Sequence, residues 1–470
     1  MDVSKLVDLS TLNVTASYNL SHMPSDLGKL TNLHTLGRFV VGRPSSDGLD
    51  CFDGSKELQS LNNLKGQLDI RIGVLKAATY VKKDHGGGAY LRRKKCLTRI
   101  LIEFTRVIEY GSMEQEQALV EEMQPHHDLV FLKIEGYHGE TIPRWPRRED
   151  NSALFYLPKL LTLVISRCEE LLCLPWQVGK LPLLKQLKLL ELSNMEYVVN
   201  ANPEASGSGE GPTFFPRLKE LEVIQLPKLE GWWPKSGSEV QDEHIIWESS
   251  RYFAQLNKLK ITLCPMMTSI PISSHVADLL VQNSGRNLIW RNLYSSQVPQ
   301  SSQHLLTNLN LRTLAISQLD WLQSMPAECF QRLGGLLIQH DKEVESLEDV
   351  RKLFQTDIFS SMLFVQIVKC PKLRNDGGWL RQISALHSLV IFDCPNIVDG
   401  IPWRHLPKSL QRLCLEFDNE LVQLEELPYE MQYCTSLQYL TISNWPQLHS
   451  LPNWLPELTV LKNFCCVTVH

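Results

Sequence analysis

LLTLVISRC, residues 160–168, is one copy of a phrase that recurs along the chain. Its skeleton, L-x-x-L-x-I-x-x-C, returns in LNKLKITLC (residues 256–264) and LHSLVIFDC (residues 386–394). MLFVQIVKC (residues 362–370) has Met and Val at the first two Leu positions, and LQYLTISNW (residues 437–445) ends in Trp. A short strand followed three residues later by Cys or Asn is typical of a leucine-rich repeat.

A repeat of this size cannot bury its own apolar face, so neighbouring repeats must stack into a solenoid. The skeleton therefore predicts an α/β solenoid, namely an irregular leucine-rich-repeat horseshoe with a parallel β-sheet on its concave face. Successive skeletons are unevenly spaced, which predicts outer loops of variable length. One strand is predicted near Leu190, with Glu191 and Ser193 on its concave face.

The regularity with which the repeat pattern recurs predicts how the chain divides into segments. Irregular repeats are predicted for residues 1–271 and more regular ones for residues 309–461, within one continuous solenoid. Between them, residues 272–308 are predicted to form an insertion, or one weak repeat around Leu288. The tail, residues 462–470, fits no repeat and stays unassigned.

Composition excludes several classes of protein. Apolar residues make up 43% of the 470 and charged residues 21%, as in ordinary soluble proteins. A net charge of -5 argues against nucleic-acid binding, which usually needs a basic surface. The chain has no run of 18 apolar residues and no signal-peptide pattern at its start, so we predict no membrane span and a cytoplasmic protein.

The cysteines are predicted to be structural. The chain has 12, and four of them occupy the same position of the repeat: Cys168, Cys264, Cys370 and Cys394. A small side chain at that position is expected to fill the turn after the strand, since free Cys is among the most buried residue types. We therefore predict neither disulfides nor metal ligands there.

Other chemical motifs are weak or absent. His126, His127 and Asp128 are consecutive, and neighbouring side chains of a strand or helix point apart, so no metal site is predicted. The basic run Arg92–Lys95 is predicted to be a solvated helix face, although a nuclear-localisation signal also fits it. The glycines at 86–88 follow no strand in a phosphate-binding arrangement. No phosphate loop, nucleophile elbow, H-E-x-x-H or C-x-x-C motif is present, so we predict neither an enzyme nor a cofactor.

The repeats instead predict a surface for binding protein. Alternate strand residues face the concave side, and near the end of the chain they include aromatic and apolar side chains beside Arg and Glu. The predicted protein-binding residues are Phe364, Val390, Phe392, Arg412, Glu416, Tyr439 and Thr441. The alternative is that lateral packing between adjacent strands covers these side chains.

Four stretches resemble the leucine-rich-repeat region of plant coiled-coil-class nucleotide-binding leucine-rich-repeat disease resistance proteins. They are LGKLTNLHTLGRFVVG (residues 27–42), LKGQLDIRI (residues 64–72), MQPHHDLVFLKIEGYHGETIPRW (residues 123–145) and FFPRLKELEVIQLPKLEGWW (residues 214–233). The resemblance implies the fold, a plant cytosolic setting, pathogen recognition and a part in holding a receptor inactive.

In that family the nucleotide-binding domain precedes the repeats, and its phosphate loop is not found here. We therefore expect a truncated receptor whose partner is a pathogen effector, a guarded host protein or the nucleotide-binding domain of a receptor. A leucine-rich-repeat substrate adaptor of a ubiquitin ligase is the alternative.

Overall fold

The computed structural model divides the chain into two compact units. The first takes in the described residues up to Leu256 and those within Leu263–Ile272, and the second takes in Asn257–Thr262 and the described residues from Ser273 onward. The structure describes residues 3–24, 26–41, 55–73, 90–105, 113–143, 145, 157–200, 214–234, 253–268, 270, 273, 275–284, 310–319, 330–347, 361–374, 379–417, 426–445 and 448–467.

The first unit is a stack of parallel strands with two short α-helices, α1 (Ser55–Ser60) and α2 (Met113–Glu122). Its strands are β1 (Thr11–Leu12), β2 (Thr35–Leu36), β3 (Arg38–Val41), β4 (Lys65–Ile72), β5 (Cys96–Phe104), β6 (Phe131–Glu135), β7 (Thr162–Ser166), β8 (Gln186–Leu190) and β9 (Glu220–Ile224). β1 pairs with β2, and β3 to β9 form one parallel sheet in chain order. Its 3-10 helices are Val3–Lys5, Leu27–Lys29 and Trp176–Lys180.

The second unit is a parallel sheet of strands that also pair in chain order. These are β10 (Lys258–Thr262), β11 (Asp278–Gln282), β12 (Thr313–Ile316), β13 (Gly335–Gln339), β14 (Phe364–Val368), β15 (Ser388–Phe392), β16 (Arg412–Glu416), β17 (Tyr439–Ser443) and β18 (Asn463–Val467). Its 3-10 helices are Trp379–Gln382, Pro395–Gly400, Trp403–His405, Tyr429–Tyr433 and Leu455–Glu457. No helix among the described residues is long and apolar enough to cross a lipid bilayer.

Alternating side chains give each strand a buried face and an outward face. In β15, Leu389 and Ile391 are fully buried, whereas Ser388, Val390 and Phe392 are half-buried on the other side. Successive strand residues point to opposite sides of a sheet, so one set of side chains forms the core. The other set forms what we call the sheet face. The predicted solenoid of parallel leucine-rich-repeat strands is confirmed within each unit.

A left-handed residue follows most strands and explains the recurring cysteine. Asp393, directly after β15, has a φ of 52°, and Cys394 comes next at 0% exposure. The Cys394 thiol donates to the carbonyl oxygen of Phe392 at 3.2 Å. The same left-handed position is held after other strands by Gly136, Arg167, Glu191, Gln225, Leu263, Asn283, His340, Lys369 and Asn444. The predicted burial of the repeat cysteines is confirmed for Cys168, Cys264, Cys370 and Cys394.

The prediction near Leu190 is wrong in register. β8 pairs Leu187, not Leu190, with Leu163 of β7. Leu190 is therefore the last strand residue, and Glu191 is the left-handed residue of the turn. The sequence LKLLEL offers two possible alternations, and the fold selects the one that buries Leu192 after the turn.

Two further strands lie where no definite repeat was predicted. β11 lies inside residues 272–308 and pairs with both β10 and β12. Leu288, around which a weak repeat was predicted, is outside the described residues. β18 lies inside the unassigned tail and pairs with β17. The predicted segment boundaries themselves stay a prediction.

The basic run Arg92–Lys95 is not a helix face. Its residues form a turn that leads into β5, closed by a hydrogen bond from the Lys94 amide to the Leu91 carbonyl at 3.1 Å. Lys94 is fully buried, whereas Arg93 and Lys95 are exposed. The glycines at 86–88 are outside the described residues.

Candidate protein-binding face

The seven predicted binding residues lie together on the sheet face of the second unit. The first outward positions of β14 to β17 form one row, namely Phe364, Ser388, Arg412 and Tyr439. Val390 and Thr441 lie in the middle row, and Phe392 and Glu416 lie in the last row. Neighbouring strands are about 4.8 Å apart, so the residues occupy one continuous area. We call it the aromatic patch: Phe364, Val390, Phe392, Arg412, Glu416, Tyr439 and Thr441.

Arg412 and Tyr439 are the most exposed members of the aromatic patch. Tyr439 is 38% exposed, and the guanidinium carbon of its register partner Arg412 stands 5.2 Å from the Tyr439 ring centroid. A cation–π contact of this kind is attractive by about 0.5–1 kcal/mol at an exposed site and helps to hold the two side chains together. Tyr and Arg are the residue types that most often dominate protein interfaces.

Lateral packing involves the two phenylalanines of the patch. A Cβ atom added to Gly335 would overlap the Phe364 ring, so this ring lies over the bare backbone of β13. The Lys369 ammonium stands 5.6 Å from the ring centroid of Phe392. Both rings are half-buried, so Tyr439 presents the larger exposed fraction of an aromatic side chain.

The middle row continues beyond the aromatic patch with apolar residues that the sequence analysis missed. Leu280 of β11, Ala315 of β12 and Leu337 of β13 are register partners in this row. Leu280 was missed because β11 lies in the segment assigned to an insertion or a weak repeat, whereas Ala315 and Leu337 lie in the predicted regular repeats and were not among the predicted binding residues. The alternation of Leu279 and Val281 around Leu280 was the signal that could have identified this strand.

The sheet face of the first unit differs because its side chains bond to one another. Thr162 donates to Gln186 at 3.0 Å, and Gln186 donates to Glu220 at 2.8 Å across three strands. Lys188 donates to Glu222 at 3.0 Å. These groups already have partners, so a ligand would have to replace existing hydrogen bonds.

Ion pairs continue this pattern toward β6. Glu135 binds both Lys133 of its own strand, at 2.5 Å, and Arg167. Desolvation, and then the charge of Arg167, lowers the pKa of Lys133. Arg99 lies 3.9 Å from the ring centroid of its register partner Phe131, in the same relation as Arg412 to Tyr439. Arg99 and Phe131 of the first unit thus form the same kind of pair as Arg412 and Tyr439 of the second.

A small pocket of about 90 Å³ lies on the sheet face of the first unit. Its charged lining residues are Arg38, Asp69, Arg71, Glu103, Lys133 and Glu135. Positive and negative groups are equal in number, so the pocket favours neither a cation nor an anion.

His126, His127 and Asp128 come close together, contrary to the sequence reasoning. They lie in a turn, where neighbouring side chains can converge, and the two imidazole rings are 4.0 Å apart. Lys159 binds the Asp128 carboxylate at 2.6 Å, and this hydrogen bond lowers the pKa of Asp128. His126 Nδ1 accepts the Asp128 amide at 3.2 Å. A metal ion bound by these three side chains would compete with the Lys159 ammonium for the Asp128 carboxylate.

Three buried thiols, those of Cys168, Cys394 and Cys434, are poor nucleophiles. Burial raises the pKa of Cys168 and of Cys434 to about 12. The hydrogen bond to Cys370, followed by burial, raises the pKa of Cys394. The thiolate is the reactive form of cysteine, so these groups stay protonated and inert at neutral pH. Among the described residues all cysteines are free thiols.

Comparison with known proteins connects this geometry to a repeat family. Residues 55–195 match the family model of R13L1/DRL21 leucine-rich repeats. Disease resistance protein RGA2 of Solanum bulbocastanum is 27% identical over 302 residues, which is 64% of this chain and 27% of that protein. Putative disease resistance protein RGA4 of the same species is 28% identical over 319 residues, covering 67% of this chain and 28% of that protein.

The chain therefore spans 27–28% of the length of these relatives. The resemblance to plant disease resistance proteins is confirmed, and such leucine-rich repeats mediate contacts between proteins. A solved leucine-rich-repeat protein of Leptospira interrogans is 16% identical, with a TM-score of 0.49, over 98% of this chain and 91% of that one.

Proposed function

We propose that this chain is the protein-recognition module of a cytoplasmic plant disease resistance protein and binds its partner through the aromatic patch. The partner is a pathogen effector, a guarded host protein or the nucleotide-binding domain of a receptor. Binding alone is the activity, without catalysis or a cofactor.

The contrast between the two sheet faces carries this proposal. Tyr439 and Arg412 are neighbours in one row and both are exposed, whereas the polar groups of the first unit bond to one another. An exposed aromatic ring with a guanidinium beside it gains contacts when a partner covers it, because the cation–π pair is preorganised.

The test compares two aromatic residues that sit in the same setting. Tyr439→Ala removes the exposed ring beside Arg412, and Phe131→Ala removes the ring beside Arg99 in the first unit. The tagged chain and both variants are expressed in plant cells, and the bound proteins are captured by cross-linking and identified by mass spectrometry. We expect Tyr439→Ala to reduce capture of a specific partner at least about tenfold and Phe131→Ala to retain it.

Equal capture by the two variants would show that the aromatic patch does not carry binding. Recovery of ubiquitin-ligase subunits by both variants would favour an adaptor in place of a resistance module. Circular dichroism and thermal unfolding of each variant distinguish a lost contact from a lost fold.

A further inference from the structure

The part of the middle row on β11, β12 and β13 forms an apolar lane beside the aromatic patch. The lane consists of Leu280, Ala315 and Leu337, and Lys260 of β10 precedes it in the same register. Leu280 and Leu337 are half-buried, and Ala315 between them is only 2% exposed. Two leucines on either side of a small residue make a notch in the sheet face.

An amide bridge runs along one side of this notch. β12 is one residue shorter than its neighbours, and the Gln282 amide of β11 reaches past it to donate to Gln339 of β13. A primary amide has two donors and a carbonyl acceptor. This bond therefore leaves the Gln282 oxygen and the Gln339 nitrogen for another chain, and no described residue bonds them. Both groups suit the N–H and C=O of a peptide backbone.

The positive charge of Lys260 lies at one end of the lane. Lys260 is half-buried and makes no ion pair with any residue in the described part of the chain. It stands one strand before Leu280. A carboxylate at that end of a ligand would gain a charge-assisted contact that a neutral or basic group would not.

The spacing of the strands determines which kind of chain fits the lane. Leu280 and Leu337 are two strands apart, which is about 9.6 Å. A polyproline II segment advances about 9.3 Å in three residues, so every third side chain meets an equivalent position. An α-helix rises about 5.4 Å per turn and drifts out of phase with strands about 4.8 Å apart. Val390, two strands beyond Leu337, extends the same period.

We infer that the apolar lane binds an extended partner segment with an apolar residue at every third position and an acidic residue at the Lys260 end. This inference rests on the proposed function, since it names the segment of the partner that the same sheet face takes. It involves Lys260, Leu280, Ala315, Leu337 and the Gln282–Gln339 bridge, none of which belongs to the aromatic patch.

The peptide acetyl-Asp-Pro-Leu-Pro-Pro-Leu-Pro-Pro-Leu-Pro-Lys-amide, with fluorescein on the lysine side chain, tests the inference by fluorescence anisotropy. The control peptide, acetyl-Asp-Pro-Leu-Pro-Leu-Pro-Leu-Pro-Pro-Pro-Lys-amide with the same label, has the same composition with leucine at every second position. We expect the first peptide to bind the full chain at least about tenfold more tightly. Equal affinity for the two peptides, or no binding of either, would overturn the inference.

Two protein variants locate the site. Leu337→Asp places a charge in the lane, and Leu101→Asp places one in the corresponding row of the first unit between Asp69 and Lys133. Only Leu337→Asp should weaken peptide binding, again by about tenfold or more. If Leu101→Asp weakens it equally, the peptide does not bind in the lane.

A charge exchange tests the end of the lane. The parent protein should bind the peptide that begins with Asp more tightly than a peptide with Lys in place of that Asp. The Lys260→Glu variant should bind the Lys peptide more tightly than the Asp peptide. Preference for the Asp peptide in both proteins would contradict the assigned orientation. Tyr439→Ala should leave peptide binding unchanged. The proposal for the lane and the proposal for the aromatic patch can therefore be refuted independently.

Discussion

At the scale of single residues, Lys94 combines full burial with an ionisable group. Its ammonium nitrogen has no hydrogen-bond partner among the described residues, and desolvation lowers its pKa to about 8. The unfolded chain binds the same proton with a pKa near its ordinary value of about 10.4. Between these two values the unfolded state holds more protons, so the free energy of unfolding rises with pH. Below pH 8 the buried charge destabilises the fold.

We predict that Lys94→Met stabilises the chain at pH 7 by about 1–3 kcal/mol, because an apolar side chain of similar length removes the buried charge. The gain should shrink as the pH rises from 8 to 10. Urea unfolding at pH 7 and pH 10 measures both effects. Lys95→Met, at the adjacent exposed lysine, should change stability little at either pH. A Lys94 variant less stable than the parent at pH 7 would contradict the assignment.

Gly136 is a second residue whose substitution should lower the stability of the fold. It occupies the left-handed position after β6, where other repeats tolerate Arg167 or Asp393, so a positive φ alone does not require glycine. A Cβ atom here would come within 2.7 Å of the Phe104 carbonyl oxygen, and that close approach of backbone does require glycine.

We predict that Gly136→Ala lowers the free energy of unfolding by about 2–4 kcal/mol, because backbone strain adds to steric overlap. Gly66 is the matched control, since it has a φ of 76° and nothing within 4 Å of an added Cβ. Gly66→Ala should cost about 1 kcal/mol. Chemical denaturation of both variants gives the comparison, and equal losses would mean that the Phe104 contact does not matter.

At the scale of elements, helix α2 is attached to the turn after β6 by an ion pair. Glu116 binds His138 Nδ1 at 2.9 Å, and both side chains are mostly buried. The hydrogen bond to Glu116 raises the pKa of His138 above its ordinary value. The stabilising contribution is therefore fully present below about pH 6.5 and declines as the pH rises through the raised pKa.

We predict that His138→Ala costs about 1–3 kcal/mol near pH 6 and less near pH 9. His405→Ala, at an exposed histidine of the second unit, should cost little at both pH values. Thermal unfolding across this pH range measures the difference. A cost that grows with rising pH would be incompatible with a charged His138.

The elements also show how far sequence reasoning reached. Strands such as β7 and β15 were predictable because Leu and Ile alternate and a buried cysteine follows. β8 was misregistered because its leucines allow two alternations, and only pairing with Leu163 chooses between them. The residues of the aromatic patch could be predicted from the alternation of side chains. The contact of the Phe364 ring with Gly335 could not, because it depends on which strand lies beside β14.

At the scale of the whole molecule, the cysteines report on packing in both units. Cys168, Cys264, Cys370, Cys394 and Cys434 are buried, whereas Cys96, Cys465 and Cys466 are exposed. The core of a repeat array is continuous along each stack, so a reagent reaches a buried thiol only when a repeat opens.

We predict that iodoacetamide labels the exposed cysteines of the native chain and spares the buried ones until denaturant is added. Burial holds the pKa of Cys168 and Cys434 at about 12, which slows reaction further. Mass spectrometry of tryptic peptides, with and without urea, measures the labelled fraction. Native labelling of Cys394, or a disulfide between Cys370 and Cys394, would contradict the packing described.

The separation of each strand into inward and outward side chains has an evolutionary consequence. Backbone hydrogen bonds hold β14 to β17 in register, and Leu389, Leu413 and their equivalents seal the interior. The outward positions contribute little to either task, so duplicated copies of such a chain can diversify there while the scaffold stays intact. New specificity can then arise by single exchanges, without a compensating change in the hydrophobic core.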